Sequence, residues 1–180
     1  MVMPLMMILL FAIIDGGRFI WEYNQAEKAT QVGARMAVVT DVVSTGLRDN
    51  DYIGVGGLTP GQTIPASALG TIVCNNSTCT CTGACSGITA GRNAAAFTNL
   101  VTRMQAFKSD ITPANVEVVY RGSGLGFAGD PSGMAMSPLV TVRLTGLQFR
   151  PITTLLFATI TMPAFTTTLT AEDSVGIASN

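Results

Sequence analysis

The most extended pattern of hydrophobic and polar positions lies at the amino end. Residues 1–14 carry no charge, and polar groups first enter at Asp15, Arg18 and Glu22. From there small and apolar residues recur at alternating steps of three and four: Ala26, Ala29, Gly33, Met36, Thr40, Val43 and Leu47. That spacing places them on one helix face. After Pro4 no strong breaker occurs until Gly54-Val55-Gly56-Gly57. The pattern predicts one helix over residues 1–48, apolar at its tip and amphipathic beyond, about 70 Å long. A helix of that length exceeds what a compact domain of this size needs, so it must project, span a membrane or line a filament.

Pro4, Leu5, Ile8, Leu9, Phe11 and Ile13 form the greasy arm expected in a membrane or filament core. A span takes roughly 20 apolar residues, and Asp15 ends this run sooner. A secretory signal would carry basic residues ahead and a small-residue cleavage site behind. The start inside an apolar run leads to the expectation of a fragment or processed product with further apolar residues upstream. Asp15 and Arg18, three apart, predict a weak exposed ion pair at the water boundary. Ala29, Gly33 and Ala37 are four apart and let another backbone approach. Gly33 costs roughly 1 kcal/mol inside a helix, so it needs a packing reason. The stripe that holds Ala26, Ala29, Gly33, Met36 and Ala37 is therefore expected to pack, with one helix face on this chain's own sheet and another on neighbouring arms.

Residues 49–70 read as a turn-rich loop. All four cysteines follow at once, as Cys74, Cys79, Cys81 and Cys85. C-x4-C-x-C-x3-C matches neither a zinc ribbon nor a common iron–sulfur spacing, which favours two disulfides stapling a surface loop over metal or free thiols. A Cys79–Cys81 ring would be very tight, so Cys74 is expected to pair with Cys79 or Cys81. Residues 93–111 predict a second helix with Phe97, Leu100, Val101, Met104, Phe107 and Ile111 on its core side, stopping ahead of Pro113. Strands are predicted at residues 115–120, 139–145 and 166–171. In the second, Val140, Val142 and Leu144 alternate with Thr141, Arg143 and Thr145, the signature of an antiparallel sheet with one wet face. Residues 152–162 are apolar and suit a short buried helix or a connector packed near the arm. The fold class is α+β: a long projecting amino-terminal helix (residues 1–48), then a small head (residues 49–180) with a second helix on an antiparallel sheet of three or more strands and a disulfide loop at 74–85.

Composition narrows function. Charged residues are 12% of the chain and the net charge is −1, so there is no electrostatic case for nucleic acid. Histidine is absent, which removes the usual general base and the commonest metal ligand. Mean hydropathy of +0.44 fits a chain with a membrane or assembly segment. Gly124-x-Gly126-x-x-Gly129 follows a strand, but Asp130-Pro131-Ser132-Gly133 comes next instead of the helix that would hold pyrophosphate, so a flexible hairpin loop is expected. No nucleophile elbow occurs, and Glu172-Asp173 are adjacent and face opposite ways on a strand. No catalytic, cofactor or metal residues are assigned.

The string Pro4-Leu5-Met6-Met7-Ile8-Leu9-Leu10-Phe11-Ala12-Ile13-Ile14-Asp15-Gly16-Gly17-Arg18 resembles the opening of the TadE-like family of pilin-like proteins, where a proline and a leucine-rich stretch lead to F-G-I-I-D/E-x-G-R. Asn24-Gln25-Ala26, Ala29 and the run from Val32 through Arg35 to Val38 are similar to the family's next block, and Thr168-Leu169-Thr170-Ala171-Glu172 to its ending. The glutamate that the family carries ahead of the proline has no counterpart here. The resemblance implies a type IV pilin-like fold and a structural, non-enzymatic subunit of the bacterial tight-adherence pilus and secretion system. Such a subunit is held in the inner membrane before assembly, then packs with copies or related pilin-like subunits in an extracellular filament for surface attachment. A monomeric membrane-anchored binding module, using the glycine-rich and cysteine loops, is the alternative.

Overall fold

The helix expected at the amino end is present in the computed structural model, which describes residues 2–89, 91–131, 133–153 and 158–171. It runs over Val2–Val39 (α1) and is about 57 Å long at ~1.5 Å per residue. It stops well before the expected Arg48. Thr40 turns its hydroxyl back onto the Met36 carbonyl (2.7 Å), and the next backbone groups find partners far along the chain. The Val43 N–H donates to the Tyr120 hydroxyl (2.9 Å) and the Val43 carbonyl accepts from Asn93 N (2.7 Å). A separate turn, Thr45–Arg48 (α2), follows.

The head is built on five antiparallel strands: Thr71–Cys74 (β1), Cys79–Thr82 (β2), Val116–Arg121 (β3), Leu139–Leu144 (β4) and, farther on, Phe165–Thr170 (β7), in the order β2-β1-β3-β4-β7. Gln148–Phe149 (β5) and Ile160–Thr161 (β6) pair as a small separate ribbon. Side-chain alternation divides the large sheet as predicted. Cross-strand partners Tyr120 with Val140, Val118 with Val142 and Val116 with Leu144 are buried on one face. On the other, Arg143 pairs with Glu117 (2.9 Å) and the Thr141 and Thr168 hydroxyls meet at 2.8 Å.

The carboxyl half of α1 and Ala94–Gln105 (α3) pack together, with α1 against β4 and β7. Asn93 caps α3 by accepting from Ala96 N (3.1 Å). This helix also ends early, at Gln105 and not at residue 111. The Gln105 amide donates to the Ile111 carbonyl (2.7 Å), so the following turn closes on a side chain and still delivers Ile111 to the core.

The cysteine stretch was expected as a surface loop and is a β-hairpin at the sheet edge. Disulfides join Cys74 to Cys79, facing each other across β1 and β2, and Cys81 to Cys85. The Cys74 and Cys79 side chains lie in the core, while the turn is made by Asn75, whose side-chain oxygen accepts from Ser77 N and Thr78 N. The glycine-rich loop after β3 is also held more firmly than expected. Ile64 N bonds the Gly126 carbonyl, Gly61 N and the Gln62 carbonyl bond Ala128, and Gly129 N bonds the Asp51 carbonyl. Gly126 has φ +130°, and a side chain there would collide with the Ala135 carbonyl. The 154–157 part of the apolar connector, the Glu172-Asp173 pair and the Glu172 of the family-like ending lie outside the described residues.

Candidate assembly and membrane arm

The tip of α1 is left uncovered by the described residues of this chain. Every residue from 2 to 14 is exposed, with Leu5 at 70%, Leu9 at 60% and Ile13 at 69%; Pro4, Ile8 and Phe11 are exposed with them. α1 is long and apolar enough to cross a membrane, and only 6% of its most apolar stretch is buried, unlike a core helix. Eleven large apolar side chains in this run face outward. At ~2 kcal/mol each, covering them is worth on the order of 20 kcal/mol, more than a domain's whole stability, so an apolar surround is the natural place for this tip.

The expected Asp15–Arg18 ion pair forms, but Asp15 is buried instead of exposed. Its carboxylate is buried and accepts from Ile152 N (2.7 Å), Thr153 N (3.1 Å) and the Thr153 hydroxyl (2.8 Å). Arg18 stands beside it at 3.3 Å and continues to Glu22 (3.7 Å). Glu22 in turn meets Lys108 (3.4 Å), a buried lysine that also holds Asp110 (3.0 Å). A chain of alternating charges thus crosses the foot of the head, directly above the apolar run. Sequence reasoning gave its Asp15–Arg18 step but missed the rest, because Glu22 and Lys108 lie 86 residues apart and Asp15 and Thr153 lie 138 apart. The available signal was a lone acid ending an apolar run.

The small-residue face is the one that lies on the domain. Ala26, Ala29, Gly33, Met36 and Ala37 are all buried by this chain's own head. A Cβ at Gly33 would stand 2.8 Å from the Met104 sulfur of α3, so the packing reason for that glycine is intramolecular. This face is not available to a neighbouring arm. What remains outside is the opposite face, with Ile13, Gly17, Ile20, Trp21, Asn24, Gln31 and Arg35 exposed. Trp21 is 61% exposed, and Cβ atoms at Gly16 and Gly17 would meet nothing. Gly17, on this face, costs roughly 1 kcal/mol in a helix, and a side chain there would meet nothing among the described residues.

The four cysteines are consumed by disulfides. Among the described residues no group of three or more cysteine or acidic side chains is placed to hold a metal ion. The glycine-rich loop leaves Leu125 and Phe127 exposed, and Ile53, whose side chain touches Gly129, is exposed too.

No curated protein and no solved structure matches the chain. One family model does, over the segment that forms the exposed tip, the Asp15 latch and the first part of the face under the head. Residues 1–35 match the family model described as TadE-like protein.

Proposed function

We propose that this chain is a structural, pilin-like subunit of a tight-adherence type IV pilus, anchored through α1 in the inner membrane and then assembled, with copies or related subunits, into an extracellular filament for surface attachment. The observation that carries the reading is the uncovered apolar run of residues 2–14, coincident with the TadE-like match. In lipid the run is solvated by acyl chains; in a filament it is solvated by other arms, where packing and close approach of small residues supply the attraction. Residues 1–48 serve as the arm in this reading, residues 49–180 as the extracytoplasmic head. The disulfides of the edge hairpin suit an oxidising space outside the cytoplasm. The role asked of the chain is mechanical, with no catalytic step.

The alternative is a lone membrane-anchored binding module. Exposed Leu125, Phe127 and Ile53 favour it, because they form apolar points on the head at loops that a ligand can reach. Open Gly17, on the same face as Trp21, favours assembly, since a lone anchor has no use for it. Mass spectrometry of material sheared from the cell surface, against the membrane fraction, separates the two. The filament reading predicts peptides of this head in the sheared material. Their confinement to membranes would leave the anchored module standing.

A further inference from the structure

Asp15 is the first polar residue after the apolar run, and its carboxylate holds the backbone of Ile152 and Thr153. One residue of helix rises ~1.5 Å, so this loop lies at the level where α1 leaves the apolar layer. At that level Ile152 is 54% and Ile160 47% exposed, although both belong to the head. Ile160 also lines, with Ala12, Gly16, Phe19 and Phe149, an apolar cleft of about 510 Å³ between the loop and α1. Arg150, two residues from Ile152, is exposed. At the far end of α1 the hairpin turn is polar: Asn75, Asn76, Ser77 and Thr78 are exposed, and its Cys79 sits beside Val43.

Resting on the membrane-anchor reading above, we propose that the foot of the head is itself a lipid-contacting surface. Ile152 and Ile160 enter the boundary between headgroups and acyl chains, with Arg150 at the phosphates. The occupant is a bilayer surface because the loop that carries these side chains is bonded to Asp15, the residue at which the exposed apolar run of residues 2–14 ends, and that bond fixes their depth. Apolar groups flanked by a cation are what the interfacial layer accepts. The consequence is orientation: the head is seated against the membrane before assembly instead of swinging on a single helix.

Trp21 is the chain's single tryptophan, so a Trp21→Phe background reports one introduced indole at a time. The full chain is reconstituted in phosphatidylcholine vesicles brominated close to the glycerol end of the acyl chains, carrying Phe11→Trp, Ile152→Trp or Ser77→Trp. The expected result is loss of emission at positions 11 and 152, and none at position 77. If position 11 is quenched while position 152 emits like position 77, the foot is clear of lipid and the inference falls with the anchor reading intact. A blue shift at position 152 that arises only on assembly would assign the surface to a second copy and also overturn it. If position 11 itself is not quenched, the anchor reading fails and takes the inference with it.

Discussion

Two buried tyrosines show how a single hydroxyl decides the sign of a substitution. The Tyr120 hydroxyl accepts the Val43 N–H, closing the chain just past the end of α1 onto the middle of the sheet. The Tyr52 hydroxyl is also buried, makes no well-formed hydrogen bond among the described residues, and has only the Asn50 side chain as a weak neighbour. Tyr120→Phe orphans a buried amide and should cost about 1–3 kcal/mol, whereas Tyr52→Phe removes an unsatisfied group and should be neutral or stabilising. Thermal melts of the full chain in detergent check the pair, and equal losses would contradict it. Burial pushes the Tyr52 phenol up to about 12 and Tyr120 higher still, against an ordinary value near 10. The folded state therefore keeps these protons longer than the unfolded chain. Their contribution is fully present below pH ~10 and is lost as pH rises through the folded values, so the head should unfold progressively in that alkaline window.

At the scale of elements, α1 is one continuous helix with two different surfaces in series, an apolar tip and an amphipathic stretch under the head. Its apolar tip was legible because an unbroken run leaves no other reading, and its amphipathic part because the three-four spacing survives in the burial pattern. What the spacing did not tell was which partner covers the face. Small residues four apart suit either a neighbour's arm or α3 of the same chain, and Met104 over Gly33 decides for α3. The end of the helix was misplaced for a similar reason. Tyr120 and Asn93 take the backbone of Val43 over long separations, and no local breaker announces that. Gly33→Leu follows from this packing. The added bulk presses on Met104, and overpacking of about 1–3 kcal/mol exceeds the gain of ~1 kcal/mol from removing a helical glycine. Lower thermal stability of the head is expected, with Gly33→Ala close to neutral because the methionine can shift. An unchanged melting temperature together with lost assembly would restore Gly33 to an intermolecular face.

For the whole molecule, the α+β architecture and the alternation of β4 were readable, since period-two patterning and an uncharged run are local signals. The latch at Asp15, the buried Lys108 and the edge position of the cysteine hairpin were not, since each depends on distant segments meeting. Together these contacts leave the chain two kinds of uncovered surface along α1: the apolar tip, and the face of Gly17, Ile20 and Trp21 turned away from the head. The central claim is that other arms cover that face in a filament. The most direct measurement places a photo-crosslinking residue at Ile20 of the full chain and compares sheared filaments with membranes. Covalent dimers with a second copy or a related pilin-like subunit, formed in the sheared fraction, are the predicted result. Sheared material in which position 20 joins no other arm would contradict the account.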